Sequence, residues 1–291
     1  MPSASIGYKL TDMSNLRLGY NMRIYRPGIW ALNPYLNDAD PSYISRGNPE
    51  LDSEKSHAFN LSYSNFIQKF NVNISARYSF TNNSIENVTR LMPDTEIEGL
   101  KNPTGKDVLY STYANIGKTR YASVNGYVNW NATSRTRIYM NMSGNYSYLE
   151  GGEGMRNDGW SLFAYGGAQH TLPHDWRISM NVFGQTPWIM LQGKGSSFFD
   201  YGVSVNKSFL NKRLTLSAFA SNFFKKYMNQ SSTTEGSGFV RESNYKYSRQ
   251  RFGVSVSYRI GELKASVKKA ARTISNDDVK SGGGDSVGGG E

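Results

Sequence analysis

Apolar and polar residues alternate along most of this chain with a period of two. In residues 16–24, Leu16, Leu18, Tyr20, Met22 and Ile24 form one set, and Arg17, Gly19, Asn21 and Arg23 form the other. Val72, Ile74, Ala76, Tyr78 and Phe80 oppose Asn71, Asn73, Ser75, Arg77 and Ser79. Ile138, Met140, Met142, Gly144, Tyr146 and Tyr148 oppose Arg137, Tyr139, Asn141, Ser143, Asn145 and Ser147, and Phe252, Val254, Val256, Tyr258 and Ile260 oppose Gly253, Ser255, Ser257 and Arg259. Side chains on a strand point alternately to its two faces, so each set lines one face of a sheet. Several alternations outrun the ~5–6 residues usual for a globular strand and match the ~9–11 tilted residues that cross a bilayer.

This patterning predicts eleven strands, near 2–10, 15–26, 56–66, 70–83, 113–130, 136–149, 158–171, 176–187, 197–208, 213–228 and 239–260. Short polar turns near 11–14, 67–69, 131–135, 172–175 and 210–212 alternate with longer segments near 27–55, 84–112, 149–158, 187–197 and 229–238. Loops sorted by length are expected of an outer-membrane barrel, with short periplasmic turns and long extracellular loops. The predicted fold class is therefore all-β: an antiparallel transmembrane β-barrel wall covering residues 1–261. Single-chain bacterial barrels normally have an even strand number, so about eleven strands predict part of a barrel, half of a 22-stranded one.

Composition narrows the alternatives. No stretch approaches the ~20 apolar residues of a spanning helix, whereas a barrel strand hides its apolar half in alternation. The rival at this level is a soluble all-β sandwich or solenoid. The chain has no Cys, which removes disulfides and thiolate chemistry. A net charge of +10 raises nucleic acid as a partner, but Lys and Arg are dispersed and do not form a basic run, so none is expected. The first residues, 1–8, already read as strand and show no charged leader or apolar signal core, so the chain is expected to be a fragment of a longer one.

Arg17, Arg23, Arg77, Arg137, Arg177 and Arg259 all fall in the polar sets. A charge on the lipid side costs ~2–4 kcal/mol at midplane, so these arginines are expected to face the lumen. There they would dock an acidic plug surface or guide an anionic solute. Any barrel keeps its charges off the lipid, and that accounts for most of the pattern. Trp130, Trp176 and Tyr258 lie beside short turns or a strand end and are candidates for a periplasmic aromatic girdle; ordinary cross-strand packing serves equally well for each. Alternation stops after Gly261. Residues 262–291 are expected to be a basic periplasmic extension, with a short helix presenting Leu263, Val267, Ala270 and Ile274, followed by a Gly-rich disordered tail.

The most specific text follows the second strand: 26–35, then 40–51, with Gly47-Asn48-Pro49, Leu51 and Glu54 leading into the strand at Phe59. This Gly-Asn-Pro-x-Leu-x-x-Glu stretch resembles the barrel of TonB-dependent receptors, particularly the Bacteroidetes type, over roughly residues 1–275. Family members often carry Pro before that Glu, where this chain has Ser53. The resemblance implies energised nutrient uptake across the bacterial outer membrane. Its partners would be outer-membrane lipid, a missing N-terminal barrel half and plug, and TonB, reached only through that N-terminal region. Read from the residues alone, Asn33-Pro34, Asp40-Pro41 and Asn48-Pro49 are turn formers that shape a loop.

No catalytic, cofactor or metal residues are expected. His57, His170 and His174 lack zincin spacing, and the 100–107 segment departs from a phosphate loop at Leu100 and Asp107. Gly151-Gly152-Glu153-Gly154 opens no predicted helix, and no Gly-x-Ser-x-Gly elbow is present. The reading is a non-enzymatic receptor or transporter barrel portion lacking plug and TonB box. The alternatives are a non-transporting structural or adhesive barrel and a soluble β-sandwich binding module.

Overall fold

The computed structural model describes residues 1–261 together with 279–280. Alternating branched, aromatic and small polar residues fit a pleated surface, and they form the eleven-strand main path of a fourteen-stranded sheet, with the short strands Asn37–Asp40, Tyr43–Ser45 and Val279–Lys280 off that path. The eleven are β1 (Ser3–Thr11), β2 (Ser14–Pro27), β3 (Glu54–Ile67), β4 (Phe70–Pro93), β5 (Asp107–Trp130), β6 (Thr136–Glu150), β7 (Arg156–Leu172), β8 (Trp176–Gln185), β9 (Phe198–Phe209), β10 (Leu214–Ser221) and β11 (Arg251–Tyr258). Each pairs antiparallel with the next in sequence, giving an up-and-down wall. Among the described residues β1 and β11 do not pair with each other, so the wall is open. Its short turns use left-handed backbone at residues other than glycine: Gln68 (φ 47°), His174 and Asp175 (61° and 58°), and Leu210 to Lys212 (51–67°).

Register fixes the faces, because residues opposite one another in an antiparallel pair share a side. One row runs Ile6, Leu18, Leu61, Ala76, Val124, Gly144, Leu162. The row beside it runs Ser5, Gly19, Asn60, Arg77, Ser123, Asn145, Ser161. The apolar face is uncovered: Leu18 is 52% exposed, Val124 57% and Val254 78%. An apolar surface of this extent is not kept against water by a soluble monomer. From Ile138 to Tyr146 the apolar band measures ~27 Å along β6, or roughly 20 Å upright at a typical tilt, close to the ~25 Å of an outer-membrane barrel.

Two regions depart from the sequence expectation. Strands β4 and β5 run on to Pro93 and from Asp107, so most of the expected 84–112 loop is a long hairpin extension with a register shift between Thr81 and Ser84. Strand β10 stops at Ser221 and β11 starts at Arg251. Between them Tyr227–Gly236 and Phe239–Ser248 form their own hairpin, joined through Gly193–Lys194 to Ile189–Met190 in a second, four-stranded sheet. The expected 229–238 connection is mostly strand, and the expected strand 239–260 divides between this hairpin and β11, because its run of β-forming residues does not mark where it leaves the wall. The expected helix at 263–274 and the Gly-rich tail lie outside the described residues; Val279 and Lys280 pair in parallel with Arg26 and Pro27.

The two faces give an expected asymmetry. In bilayers, Met142→Arg on the apolar face should cost ~2–4 kcal/mol of unfolding free energy, and Asn141→Arg on the other face should cost little. Denaturant titration in lipid vesicles measures both; equal costs would contradict the assigned faces.

Candidate functional site

The candidate site lies on the polar face and under the loops at its long-loop end. Register places Arg17, Arg23, Arg77, Arg137 and Arg177 on this face, and Arg259 continues the polar parity of β11, its N–H donating to the Arg213 carbonyl at 2.8 Å. They occupy different rows and make no single cluster. Arg177 lies opposite Thr171 and Asn206, and Arg77 opposite Asn60 and Ser123. The Arg137 Nε donates to Asn129 Oδ1, and its guanidinium lies 5.9 Å from the Tyr139 ring centre.

A cap covers the polar side at the long-loop end. Ile189 and Leu191 pack with Leu149, which lies on the polar parity of β6. A Cβ at Gly159 would lie 2.9 Å from the Ile189 Cδ1, so the isoleucine side chain packs directly over this glycine. Asn157 Nδ2 donates to the carbonyls of Met190 (2.8 Å) and Gly193 (2.9 Å). Gln192 then reaches β4: its Oε1 accepts from the Thr89 N–H at 2.7 Å and its Nε2 donates to the Thr89 carbonyl at 2.9 Å. One side-chain amide thus satisfies both backbone groups of a buried residue, as a neighbouring strand would. The Tyr227–Ser248 segment is tied in by Arg241, whose guanidinium lies 3.8 Å from the Tyr43 ring centre.

The Gly47–Glu54 segment is a clamp for the loop between β2 and β3. Gly47 N–H donates to the Asn33 carbonyl (2.9 Å) and Asn48 N–H to the Ala31 carbonyl (2.6 Å). A Cβ on Gly47 would sit 2.5 Å from the Asn33 oxygen, so only glycine permits this approach. Asn48 Nδ2 donates to the Tyr113 carbonyl on β5 (3.0 Å), and its Oδ1 accepts from Glu50 N–H (2.9 Å). Pro49 sits between these two contacts and Leu51 follows them, without regular structure at either. Glu54, 4% exposed, accepts from the Ile85 N–H at the start of the β4 extension. A second tie joins this loop to β5: Asp52 N–H donates to Asn115 Oδ1 (2.8 Å), whose Nδ2 returns to the Asp52 carbonyl (3.0 Å).

The hairpin tip at 94–106 closes on one buried carboxylate. Asp94 accepts from Thr104 N–H (2.6 Å), Thr104 Oγ1 (2.8 Å) and Gly105 N–H (2.8 Å). These donors, with the Thr104 amide foremost, hold its pKa below the ordinary carboxylate value against the opposing effect of burial.

At the opposite end, Trp130 stacks on Phe70 with centroids 5.4 Å apart and planes 3° from parallel. Trp176 lies 5.4 Å from Lys207 Nζ, which also donates to the His174 carbonyl in the adjoining turn. Tyr258 lies opposite Leu214 on the same apolar face. His170 Nδ1 pairs with Thr136 Oγ1 at 2.8 Å and His57 Nδ1 with the Tyr20 hydroxyl at 2.9 Å. Among the described residues no group of three or more His, Asp or Glu is placed to hold a metal.

Sequence reasoning missed most aromatic residues of the polar face. Phe163, Tyr165, Phe183 and Phe198 share it with Ser, Asn and Arg by register, beside Tyr139, which parity had already placed there. The signal was present as Phe163 and Tyr165 in polar parity along β7. Neighbouring Leu162, Ala164 and Gly166 blurred the alternation there.

A family model described as "Outer membrane protein beta-barrel family" matches residues 1–258. No curated protein sequence matches the chain. Several solved structures resemble it in fold. The copper transporter OprC aligns with a TM-score of 0.61 at 14% identity, over 88% of this chain and 40% of that one. The siderophore receptor PirA from Pseudomonas aeruginosa aligns with a TM-score of 0.56 at 16% identity, over 77% of this chain and 39% of that one. A point mutant of the ferric enterobactin receptor PfeA from the same organism gives 0.58 at 16% identity, over 88% and 40%. The chain thus spans about two fifths of these proteins, between 39% and 40% of their length.

Two measurements test the site. Gln192→Ala should leave the Thr89 N–H and carbonyl unmet at a cost of ~1–3 kcal/mol, read as faster hydrogen exchange at the Thr89 amide. Unchanged exchange there would show that the cap does not rest on this contact. Because the folded pKa of Asp94 is depressed, its contribution is present above the ordinary carboxylate range and disappears as pH falls through the folded value. The Thr104 and Gly105 amide proton shifts should therefore titrate together with a midpoint below that range, and Asp94→Asn should abolish the titration. A midpoint at or above the ordinary value would contradict the geometry.

Proposed function

Since the chain belongs to the outer membrane protein β-barrel family, we propose that it is the C-terminal wall of a receptor-type barrel that takes a scarce nutrient into the cell. The protein resides in the bacterial outer membrane, with its bare apolar face against lipid. The observation that carries the reading is the combination of an open eleven-strand meander with a cap of long loops folded over its polar side. The fold shared with receptors and transporters, at about two fifths of their length, supports it further.

In this reading an N-terminal barrel half completes the wall and carries a plug in the lumen. TonB acts through that N-terminal region. The polar-face arginines meet an acidic plug surface or an anionic solute, because a low-dielectric wall focuses their field inward. The clamp at Gly47–Glu54 holds the loops in place rather than touching cargo: its polar groups are engaged by Asn33, Ala31, Tyr113 and Ile85. The Bacteroidetes-type relationship rests on that same segment. Trp130, Trp176 and Tyr258 anchor the periplasmic boundary, where amphipathic rings are favoured.

Closure and uptake test the proposal. The chain alone should run on unheated gels without the compact, heat-modifiable band of a closed barrel. Joined to the segment encoded upstream, it should gain that band and support TonB-dependent growth on a limiting nutrient. Reversing Arg77 and Arg137 to Glu in that longer protein should release the plug or lower uptake at least about tenfold. A closed barrel that supports no uptake in any nutrient condition would favour a structural or adhesive barrel instead. A compact band from the chain alone would overturn the partial-wall reading.

A further inference from the structure

The polar face carries aromatic rings that its polar composition does not account for. The row through Arg17 reads Gly7, Arg17, Ser62, Ser75, Asn125 and Ser143, and then Phe163, Gln185 and Phe198. The neighbouring row reads Asn15, Ser64, Asn73, Tyr127 and Asn141, and then Tyr165 and Phe183. Tyr127 on β5 is the first ring in the second row, and from β7 onward rings stand in both rows where most earlier positions carry Ser, Asn or Arg.

These rings touch in sequence. Tyr139 and Tyr165 have centroids 5.6 Å apart and hydroxyls 3.2 Å apart. Tyr165 lies 6.5 Å from Phe183, and Phe183 lies 5.1 Å from Phe163 and 4.7 Å from Phe198. All fall within the ~4.5–7 Å of interacting aromatic pairs. A cation stands at each end: Arg137 is 5.9 Å from the Tyr139 ring, and Arg249 is 6.0 Å from the Phe198 ring. Asp200 holds Arg249 at 3.0 Å, whereas the Arg137 guanidinium has a neutral amide partner in Asn129. The ribbon climbs from the short-turn end at Tyr139 to the long-loop end at Phe198, and Tyr165 remains 40% exposed midway.

We propose that this ribbon is a stacking track for small solutes that carry a flat aromatic ring and a carboxylate. Ring faces meet the solute's ring, and Arg137 meets its negative charge at the inner end. Cross-strand packing alone would explain ring pairs, but it requires neither their continuity along the height of the wall nor, beside Tyr139, an arginine with no acidic partner among the described residues. The inference deepens the transport reading by naming a substrate class and rests on it.

The test uses the full chain in detergent micelles, with salicylate as probe and salicylamide and maltotriose as comparisons, read by saturation-transfer NMR and titration. Salicylate should bind. Phe163→Ser combined with Phe183→Ser should weaken binding about tenfold or more, since two stacking partners are lost. Phe183→Tyr should retain binding, while Phe183→Leu, which keeps apolar bulk without the ring, should lose it. Arg137→Gln should weaken salicylate binding without changing that of salicylamide. No transfer to salicylate, transfer undiminished in the double-serine and Phe183→Leu variants, or preferred binding of maltotriose would each overturn the track. Failure of the transport reading would appear separately, as absent uptake by the longer protein with salicylate binding intact.

Discussion

Hydrocarbon offers a backbone no hydrogen-bond partner, and every structural decision in this wall follows from that. Each unmet N–H or carbonyl costs several kcal/mol in lipid, so a strand is tolerated there only between two other strands. The chain meets this by the simplest route, pairing each strand with the next in sequence, β1 through β11. Pairing in chain order leaves the order of strands unambiguous, even where the long segments 28–53 and 222–250 separate two partners. The period of two then does the rest. Register aligns Leu18, Leu61 and Val124 in one row and Arg77 with Asn60 and Ser123 in another, so apolar and charged positions are sorted to opposite faces.

Outside the membrane the same need is met by different means. Where loops leave the ladder, side chains take over as partners for the backbone. Gln192 stands in for a strand at Thr89, Asp94 gathers the amides of Thr104 and Gly105, and Asn48 and Asn115 hold the β2–β3 loop to β5. A glycine appears where backbone crosses too closely for a Cβ, as at Gly47 under Asn33 and Ala31. The cap is thus rigid at its roots and built from amides and carboxylates. Water can compete for such contacts, and for that reason they are placed under cover, as at Thr89 and Asp94, which are 3% and 4% exposed.

What could be read from the sequence was whatever depends on neighbours in the chain. Strand number, the two faces and the sorting of loops by length are all local periodicities, and they match the wall. The arginines' common face followed from parity alone. The Gly47–Glu54 segment was recognisable as turn formers, but its partners Tyr113 and Ile85 were not, because they arrive from strands brought alongside by folding. The cap was invisible for the same reason: Gln192 and Thr89 are far apart in sequence, and the first arm of the hairpin, Tyr227–Gly236, carries no apolar alternation that would mark it as strand. The aromatic ribbon escaped because its rings are spread over four strands, so no window of the sequence contains it.

The direction of the edges constrains whatever completes the wall. Strand β1 leads into the short turn at 12–13, and β11 follows the long segment 222–250, so both edges run from the long-loop end toward the short-turn end. An odd number of strands makes this unavoidable. An antiparallel partner must therefore present edge strands running the other way on both sides, which requires an odd number of strands in the closing segment and an even total, as barrels of this kind normally have. A second copy of this chain, inserted in the same orientation, presents edges that run the same way as its own. It could pair only in parallel, breaking the antiparallel order of every other strand in the wall. On the proposed reading, the completing segment begins and ends on strands that run toward the long-loop end, a geometry that a second copy of this chain in the same orientation does not present.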